Sequence, residues 1–213
     1  ENILQQELDR FQVFCTQNKL VINSNKSFVM LFNRSRTLAF PPEFAIANGE
    51  NMKVVKTLRV LGVLVQDNLC WGSQVNEMVR RASKTTWVLR RMKALGVDQT
   101  TLVNFWKSEG RVHLEMACPV WQSGLTLGQA RDLDRAQRMA MAAIAGRWEQ
   151  SNSGQLRQLG LEPLGPRRVK ICWTFAARTA RDSRHMDLFV PSGARPRRGK
   201  LVKTFRVTDS VTL

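Results

Sequence analysis

Apolar residues at Leu4, Leu8, Phe11 and Cys15 recur at i, i+4, i+7 and i+11, the spacing of one face of an amphipathic helix. After Lys19 the pattern changes. Leu20-Val21-Ile22 and Ser27-Phe28-Val29-Met30-Leu31-Phe32 read as strands, separated by the turn-prone Asn23-Ser24-Asn25. Pro41-Pro42 break the chain and Asn48-Gly49 signals a hairpin, after which Val54-Val55 and Leu58 to Val65 read as two further strands. Residues 1–66 are therefore expected to form one helix and a small antiparallel sheet.

From Trp71 onward the period is helical. Val75, Met78, Ala82, Thr85, Leu89 and Met92 keep a 3-4 spacing, and at about 100° per residue Arg80, Lys84, Trp87 and Arg91 gather in a narrow stripe on the opposite face. Asp98 is a good N-cap for a helix through Leu102, Phe105 and Trp106 towards Met116, which Pro119 interrupts. Thr126-Leu127-Gly128-Gln129 has the spacing of a capping box. The helix it opens turns Leu133, Ala136, Ala140 and Ile144 to a core before Gly146 closes it. Pro163 and Pro166 bracket the start of a last helix. One side of it carries Val169, Cys172, Trp173, Ala176 and Ala180, the other Arg167, Lys170, Thr174, Arg178 and Arg181. Beyond Phe189 the run Pro-Ser-Gly-Ala-Arg-Pro-Arg-Arg-Gly-Lys reads as a flexible basic arm. The predicted class is α+β, with a small antiparallel sheet and one helix followed by an all-helical region.

Composition narrows the function. The 213 residues carry 33 Lys+Arg against 17 Asp+Glu, a formal charge of +16, which points to a polyanionic partner, nucleic acid before a membrane surface. The excess is +3 over residues 1–66, +3 over 67–137 and +10 over 138–213, so it is concentrated in the last third. No apolar run reaches the ~20 residues of a membrane span. The chain begins at Glu1 directly with a helical pattern and no signal peptide, and it reads as a piece of something longer. Cys15, Cys70, Cys118 and Cys172 stand singly, in no metal-ligand spacing, and are expected to be buried, reduced thiols of an intracellular protein.

Catalytic constellations are sparse. Asp132 and Asp134 form the one Asp-x-Asp, but on a helix i and i+2 point roughly 200° apart, so a solvated helix surface accounts for them better than a metal site. His113 and His185 have no evident partners, and Leu61-Gly62-Val63 is too short for a nucleotide fingerprint. On its own residues the chain is expected to bind rather than to catalyse, and no metal site is expected within it. The stripe of Arg80, Lys84, Trp87 and Arg91 is open to two accounts: a solvated face with a packed tryptophan, or a nucleic-acid contact.

Several strings together resemble the reverse transcriptases of non-LTR, LINE-like retrotransposons of the jockey type, in order and spacing over roughly residues 1–190. The opening helix with Leu20-Val21-Ile22-Asn23-Ser24-Asn25-Lys26-Ser27 resembles the helix and Asn-x-x-Lys strand that follow the metal-binding turn of the palm. Leu58-Arg59-Val60-Leu61-Gly62-Val63 resembles the primer-grip strand, and Asp67-Asn68-Leu69-Cys70-Trp71 with Val75 the start of the thumb. His113 to Trp121 and Arg135-Ala136-Gln137-Arg138 are similar to two thumb and connector signatures. Gly160-Leu161-Glu162-Pro163-Leu164 with Arg167-Arg168 and Phe175-Ala176 resembles the closing stretch. The departures are Val60, Gln74 and Met116, where the family usually has tyrosine, histidine and tyrosine; the chain has no tyrosine at all.

The resemblance implies the end of a polymerase palm with its primer-grip strand at 1–66, a helical thumb at 67–125, a basic helical connector at 126–190 and a basic tail at 191–213. It implies an RNA template and DNA primer as partners, together with the upstream palm and fingers of the same polypeptide, and no membrane. The catalytic aspartates and their Mg²⁺ are implied upstream, which leaves this part without activity of its own. Nuclear localisation follows for an active element. Residue by residue, Lys26 matches the lysine that can act as general acid to pyrophosphate. Leu61, Gly62 and Val63 match the primer grip, and Arg80, Lys84, Trp87 and Arg91 match the thumb helix that tracks the template–primer duplex. Arg167, Lys170 and Arg178 are expected to add nucleic-acid contacts from the connector. The alternative is a stand-alone basic helical protein that binds RNA or DNA and has no polymerase ancestry.

Overall fold

The computed structural model describes residues 2–32, 43–45, 51–146, 152–182, 184, 189–191 and 205–207. It is mixed α+β and mostly helical. Helix α1 (Asn2–Gln17) ends as Lys19 turns left-handed (φ 56°), and the Leu20 amide closes back on the Cys15 carbonyl at 2.8 Å. That closure uses the amide a strand would need. Leu20-Val21-Ile22 is therefore not a strand, and the chain passes through a 3-10 turn at Ser24–Lys26 instead. The expected apolar face of α1 is covered only in part: Cys15 is buried, while Phe11 is more than half exposed and stacks at 6.3 Å on Phe14, an exposed residue outside that face.

The first sheet differs from the expectation in direction. β1 (Phe28–Val29) is much shorter than the apolar run that suggested it, and it pairs in parallel with β3 (Asn51–Val54). β2 (Glu43–Ala45) pairs antiparallel with β3, Ala45 facing Asn51, so the order is β1-β3-β2 and the sheet is mixed rather than antiparallel. The Asn48-Gly49 turn signal lies outside the described residues, between these two strands.

Leu58 to Val65, expected as one strand, is two. β4 (Thr57–Val60) and β5 (Val63–Gln66) pair antiparallel, with Val60 opposite Val63 and only Leu61-Gly62 between them. Both turn residues have positive φ (47° and 90°), the backbone that a two-residue hairpin of primed type requires. Gly62 supplies it freely and Leu61 pays a local strain. The alternation of apolar residues continues across the turn, which is why the pattern alone read as a single run.

The hairpin is fastened to the helical region. Val63 enters the helical core, the Leu64 amide donates to Gln74 Oε1 at 2.8 Å, and the Ser73 amide to Gln66 Oε1 at 3.4 Å. Helix α2 (Gly72–Ala94) buries Val75, Met78, Ala82, Thr85 and Leu89 as its spacing predicts and packs most extensively on α6 (Leu127–Ala145). α6 is opened by the expected capping box: Thr126 Oγ1 accepts from the Gln129 amide at 3.2 Å and Gln129 Oε1 from the Thr126 amide at 2.9 Å. It buries Leu133, Ala136, Ala140 and Ile144 and ends at left-handed Gly146. Lys93 of α2 donates to the Ile144 carbonyl at 2.5 Å, a cation on the negative end of α6.

Between them the chain runs through α3 (Gln99–Phe105), capped by Asp98 through the Thr101 amide at 2.9 Å, a π turn at Trp106–Gly110, and α4 (Arg111–Glu115). The wide turn makes room for the fully buried Trp106 ring, which lies against Gly110 where no Cβ would fit. The break that follows belongs to left-handed Ala117 (φ 54°). Pro119 does not interrupt a helix but sits in the first turn of the next, α5 (Cys118–Trp121), where its missing amide costs nothing.

After α7 (Asn152–Gln158) comes α8 (Leu164–Thr179), whose buried face is Leu164 and Arg168 with half-buried Ile171 and Cys172. The expected face fails in part: Val169, Trp173 and Ala176 are exposed, along an open groove beside Pro119 and Ser123. β6 (Phe189–Pro191) pairs antiparallel with β7 (Phe205–Val207). The rest of the expected basic arm, and His185, lie outside the described residues. One core of buried side chains runs from Val63 to Leu164, joining the residues expected as thumb and connector.

Candidate nucleic-acid interface

The side of α2 away from this core is cationic. From Glu77 to Asp98 the chain holds Arg80, Arg81, Lys84, Arg90, Arg91 and Lys93 and no acid. Arg80, Lys84, Trp87, Arg90 and Arg91 are exposed. Trp87 is 61% exposed, unlike Trp71, Trp106 and Trp121, which are all buried. The guanidinium of Arg91 lies 5.9 Å from the centre of the Trp87 ring, within the range of a cation–π contact. Lys93, spent on the end of α6, is not part of the open surface.

The hairpin tip adjoins the N-terminal end of this stripe through one carboxylate. Glu77 takes Arg80 in a two-point contact at 2.7 and 2.9 Å and Arg81 at 2.8 Å, with Arg59 of β4 at 3.8 Å. Three guanidiniums share one acid, so the cluster keeps a net positive charge. The arginine hydrogen bonds hold the Glu77 carboxyl at about 2, well below its ordinary value, and it stays ionised at any physiological pH. Arg59 also donates to the Gly62 carbonyl at 3.2 Å, tying the turn to the cluster. Leu61 projects almost wholly into solvent, Gly62 packs near the Met116 side chain, and Val63 is buried. The stripe and the Leu61-Gly62 turn are thus one continuous surface. From Arg80 to Arg91 the helix advances about 16 Å, close to five base-pair steps of a duplex at about 3.4 Å each.

The other expected site residues stand apart from it. Lys26 is exposed at the end of its 3-10 turn, which packs against β3. Lys170 and Arg178 are exposed on α8. Arg167 is engaged rather than open: its Nε donates to Glu115 at 2.5 Å and its Nη1 reaches Glu162 at 3.4 Å. These partners hold its pKa above the ordinary arginine value.

Arg167 belongs to a polar lock between α4, α5, α6 and α8. Gln137 Nε2 donates to the Glu162 carbonyl at 3.0 Å, Trp121 Nε1 to the Met116 carbonyl at 3.0 Å, and Arg168, 1% exposed, to Gln122 Oε1 at 2.8 Å. Cys118 Sγ lies 3.8 Å from the Arg168 carbonyl and 3.9 Å from Cys172 Sγ. Burial pushes the Cys118 thiol up to about 12. Cys70, expected buried, is exposed, and all four cysteines are free. His113 is half-buried and held below its usual pKa by that burial.

Sequence reasoning missed Arg59, Glu77 and Arg81. The Glu-x-x-Arg-Arg spacing of residues 77–81 was a legible signal for an i, i+3, i+4 cluster, whereas Arg59 joins only through the hairpin. Among the described residues no group of three or more His, Cys, Asp or Glu could hold a metal ion. No helix among them is long and apolar enough to cross a membrane. The arrangement suits binding of a polyanion. Compared with known proteins, the chain matches no family model, no curated protein and no solved structure.

Proposed function

We propose that the chain is part of a non-LTR retrotransposon reverse transcriptase and that it contributes template–primer binding through α2 and a primer-end contact through the Leu61-Gly62 turn. In this reading the upstream palm supplies the catalytic carboxylates and their Mg²⁺, and an active element uses the protein in the nucleus. The observation that carries it is that the hairpin tip is tied through Arg59 and Glu77 to the exposed stripe of α2, whose own residues beyond Glu77 include several cations and no acid. Phosphates on either strand of an RNA–DNA hybrid would meet Lys84 and Arg91 directly, and Arg80 through the net positive charge of its cluster with Glu77, without regard to sequence.

A second reading, a stand-alone basic protein that binds RNA or DNA, shares this surface. It is favoured by the self-contained core from Val63 to Leu164. Two measurements test and separate them. Binding of an RNA–DNA hybrid is titrated over salt for the chain and for the Arg80/Lys84/Arg91→Ala triple variant; the slope of log affinity on log salt should flatten by about two to three. An unchanged slope removes α2 from the interface. A hybrid with a photoreactive 3′-terminal nucleotide on the primer should crosslink at the Leu61-Gly62 turn in the polymerase reading, and without preference for that end in the other.

A further inference from the structure

Trp87 calls for a more specific account than a positive surface gives. A tryptophan left 61% exposed forgoes the burial that Trp71, Trp106 and Trp121 obtain, yet it sits in the middle of a long, well-packed helix. Its exposed neighbours along that face are Ser83, Lys84, Arg90 and Arg91, three of them cations. An apolar partner would have to desolvate those charges without pairing them, which is costly. The complement of a flat indole ringed by cations is a ligand that is flat, aromatic and anionic at once.

Helix geometry sets Lys84 about 4.5 Å below Trp87 along the axis and Arg91 about 6 Å above it, so cations flank the ring in both directions along the helix. Paired bases inside a duplex offer their edges, not their faces, to a side chain; only an unpaired base can lie on an indole. We propose that Trp87, flanked by Lys84 and Arg91, is a stacking site for an unpaired nucleobase, so that α2 takes single-stranded RNA or DNA at this point of its surface. This rests on the reading of α2 as a nucleic-acid interface and deepens it: the cations supply the sequence-independent attraction, and the indole selects strands that are not paired.

The test compares the full chain with Trp87→Ala and Trp87→Phe, using an unstructured oligouridylate, the same length with an abasic site replacing each base in its central half, and a blunt RNA–DNA hybrid. Loss of one stacked base should weaken Trp87→Ala binding to the oligouridylate by about fivefold or more. Trp87→Phe should retain most of the affinity. The salt slope should stay unchanged, because no charge is removed, and the difference between wild type and Trp87→Ala should shrink on the abasic strand and vanish on the hybrid. Because Trp87 is exposed, both variants should keep the thermal midpoint of the wild type. If Trp87→Ala binds the oligouridylate as tightly as wild type, or loses equally on the hybrid, the stacking site is refuted while the cationic interface stands. If the wild-type chain binds none of the three, the interface itself falls and the stacking site with it.

Discussion

Arg168 separates structure from binding within one basic run. Beside Arg167 and Lys170 it looks like a member of a cationic face, yet its side chain is 1% exposed. Its Nε donates to Gln122 Oε1 at 2.8 Å, its Nη2 is 4.0 Å from the half-exposed Asp134, and its Nη1 is buried with no partner. Burial lowers its pKa below the ordinary arginine value. The charge is thus poorly compensated, whereas the volume of the side chain fills the junction of α5, α6 and α8. Removing a buried, imperfectly paired charge while keeping the volume is often neutral or stabilising, while emptying the volume is not.

Arg168→Met should therefore hold stability within about 1 kcal/mol of wild type: the gain from not burying a charge offsets the orphaned Gln122 oxygen, which costs about 1–3 kcal/mol. Arg168→Ala should fall below Arg168→Met by about 2–5 kcal/mol, the cost of truncating a buried long side chain to alanine. Thermal unfolding followed by circular dichroism resolves this, since about 1 kcal/mol moves the midpoint of a chain this long by roughly 2–4 °C. Both variants should bind an RNA–DNA hybrid with the wild-type salt slope. Equal stability of the two variants together with a flattened slope would refute the reasoning and place Arg168 on the binding surface.

Gly110→Ala drives a Cβ into the six-membered ring of Trp106, so the indole or the π turn must move, and a loss of about 1–3 kcal/mol in urea unfolding is expected. Glu77→Gln frees Arg59, Arg80 and Arg81 from their shared carboxylate and should steepen the salt slope of hybrid binding by up to about one. Because the folded Glu77 carboxyl titrates at about 2, its stabilisation is present above the unfolded value of 4.5 and is lost as pH falls towards about 2. Acid unfolding of Glu77→Gln should lack that component between pH 4.5 and 2. Alkylation at pH 8 read by mass spectrometry should label exposed Cys70 first and Cys118 last, since a thiol at about 12 is about one part in ten thousand thiolate there.

How far the sequence was legible follows from what each signal measures. Period and capping chemistry are local, and where packing agreed with them the elements came out as expected: the buried face of α2, the Asp98 cap, and the Thr126–Gln129 box of α6. The misreadings come from non-local choices. Leu58–Val65 alternates across a two-residue turn that period alone does not reveal. Leu20–Ile22 has strand composition, but its first amide closes a helix. The direction of β1 against β3 depends on the segment between them, which no local pattern encodes. The period placed Trp87 opposite the core face of α2 but left open whether a neighbouring helix covers it, and engagement of Arg167 was not legible either, because its partner Glu115 lies 52 residues away.

That last contrast divides the sequence motifs into two kinds. Glu115, Cys118, Trp121, Gln137, Glu162, Arg167 and Arg168 come from three separate strings and meet in one polar lock, so their chemistry is spent inside the protein. Residues engaged in this way speak of how helices are joined, not of what they touch. Leu61 and the α2 stripe are different: their side chains stand in solvent, and Arg59 and Glu77 tie the turn to the stripe. On the proposed reading, a variant that keeps the lock and loses the stripe should keep its fold and lose nucleic-acid binding. The sharpest substitutions for testing function are therefore on α2 and the turn, and a change in binding caused by Arg167 or Arg168 should arrive only together with a change in stability.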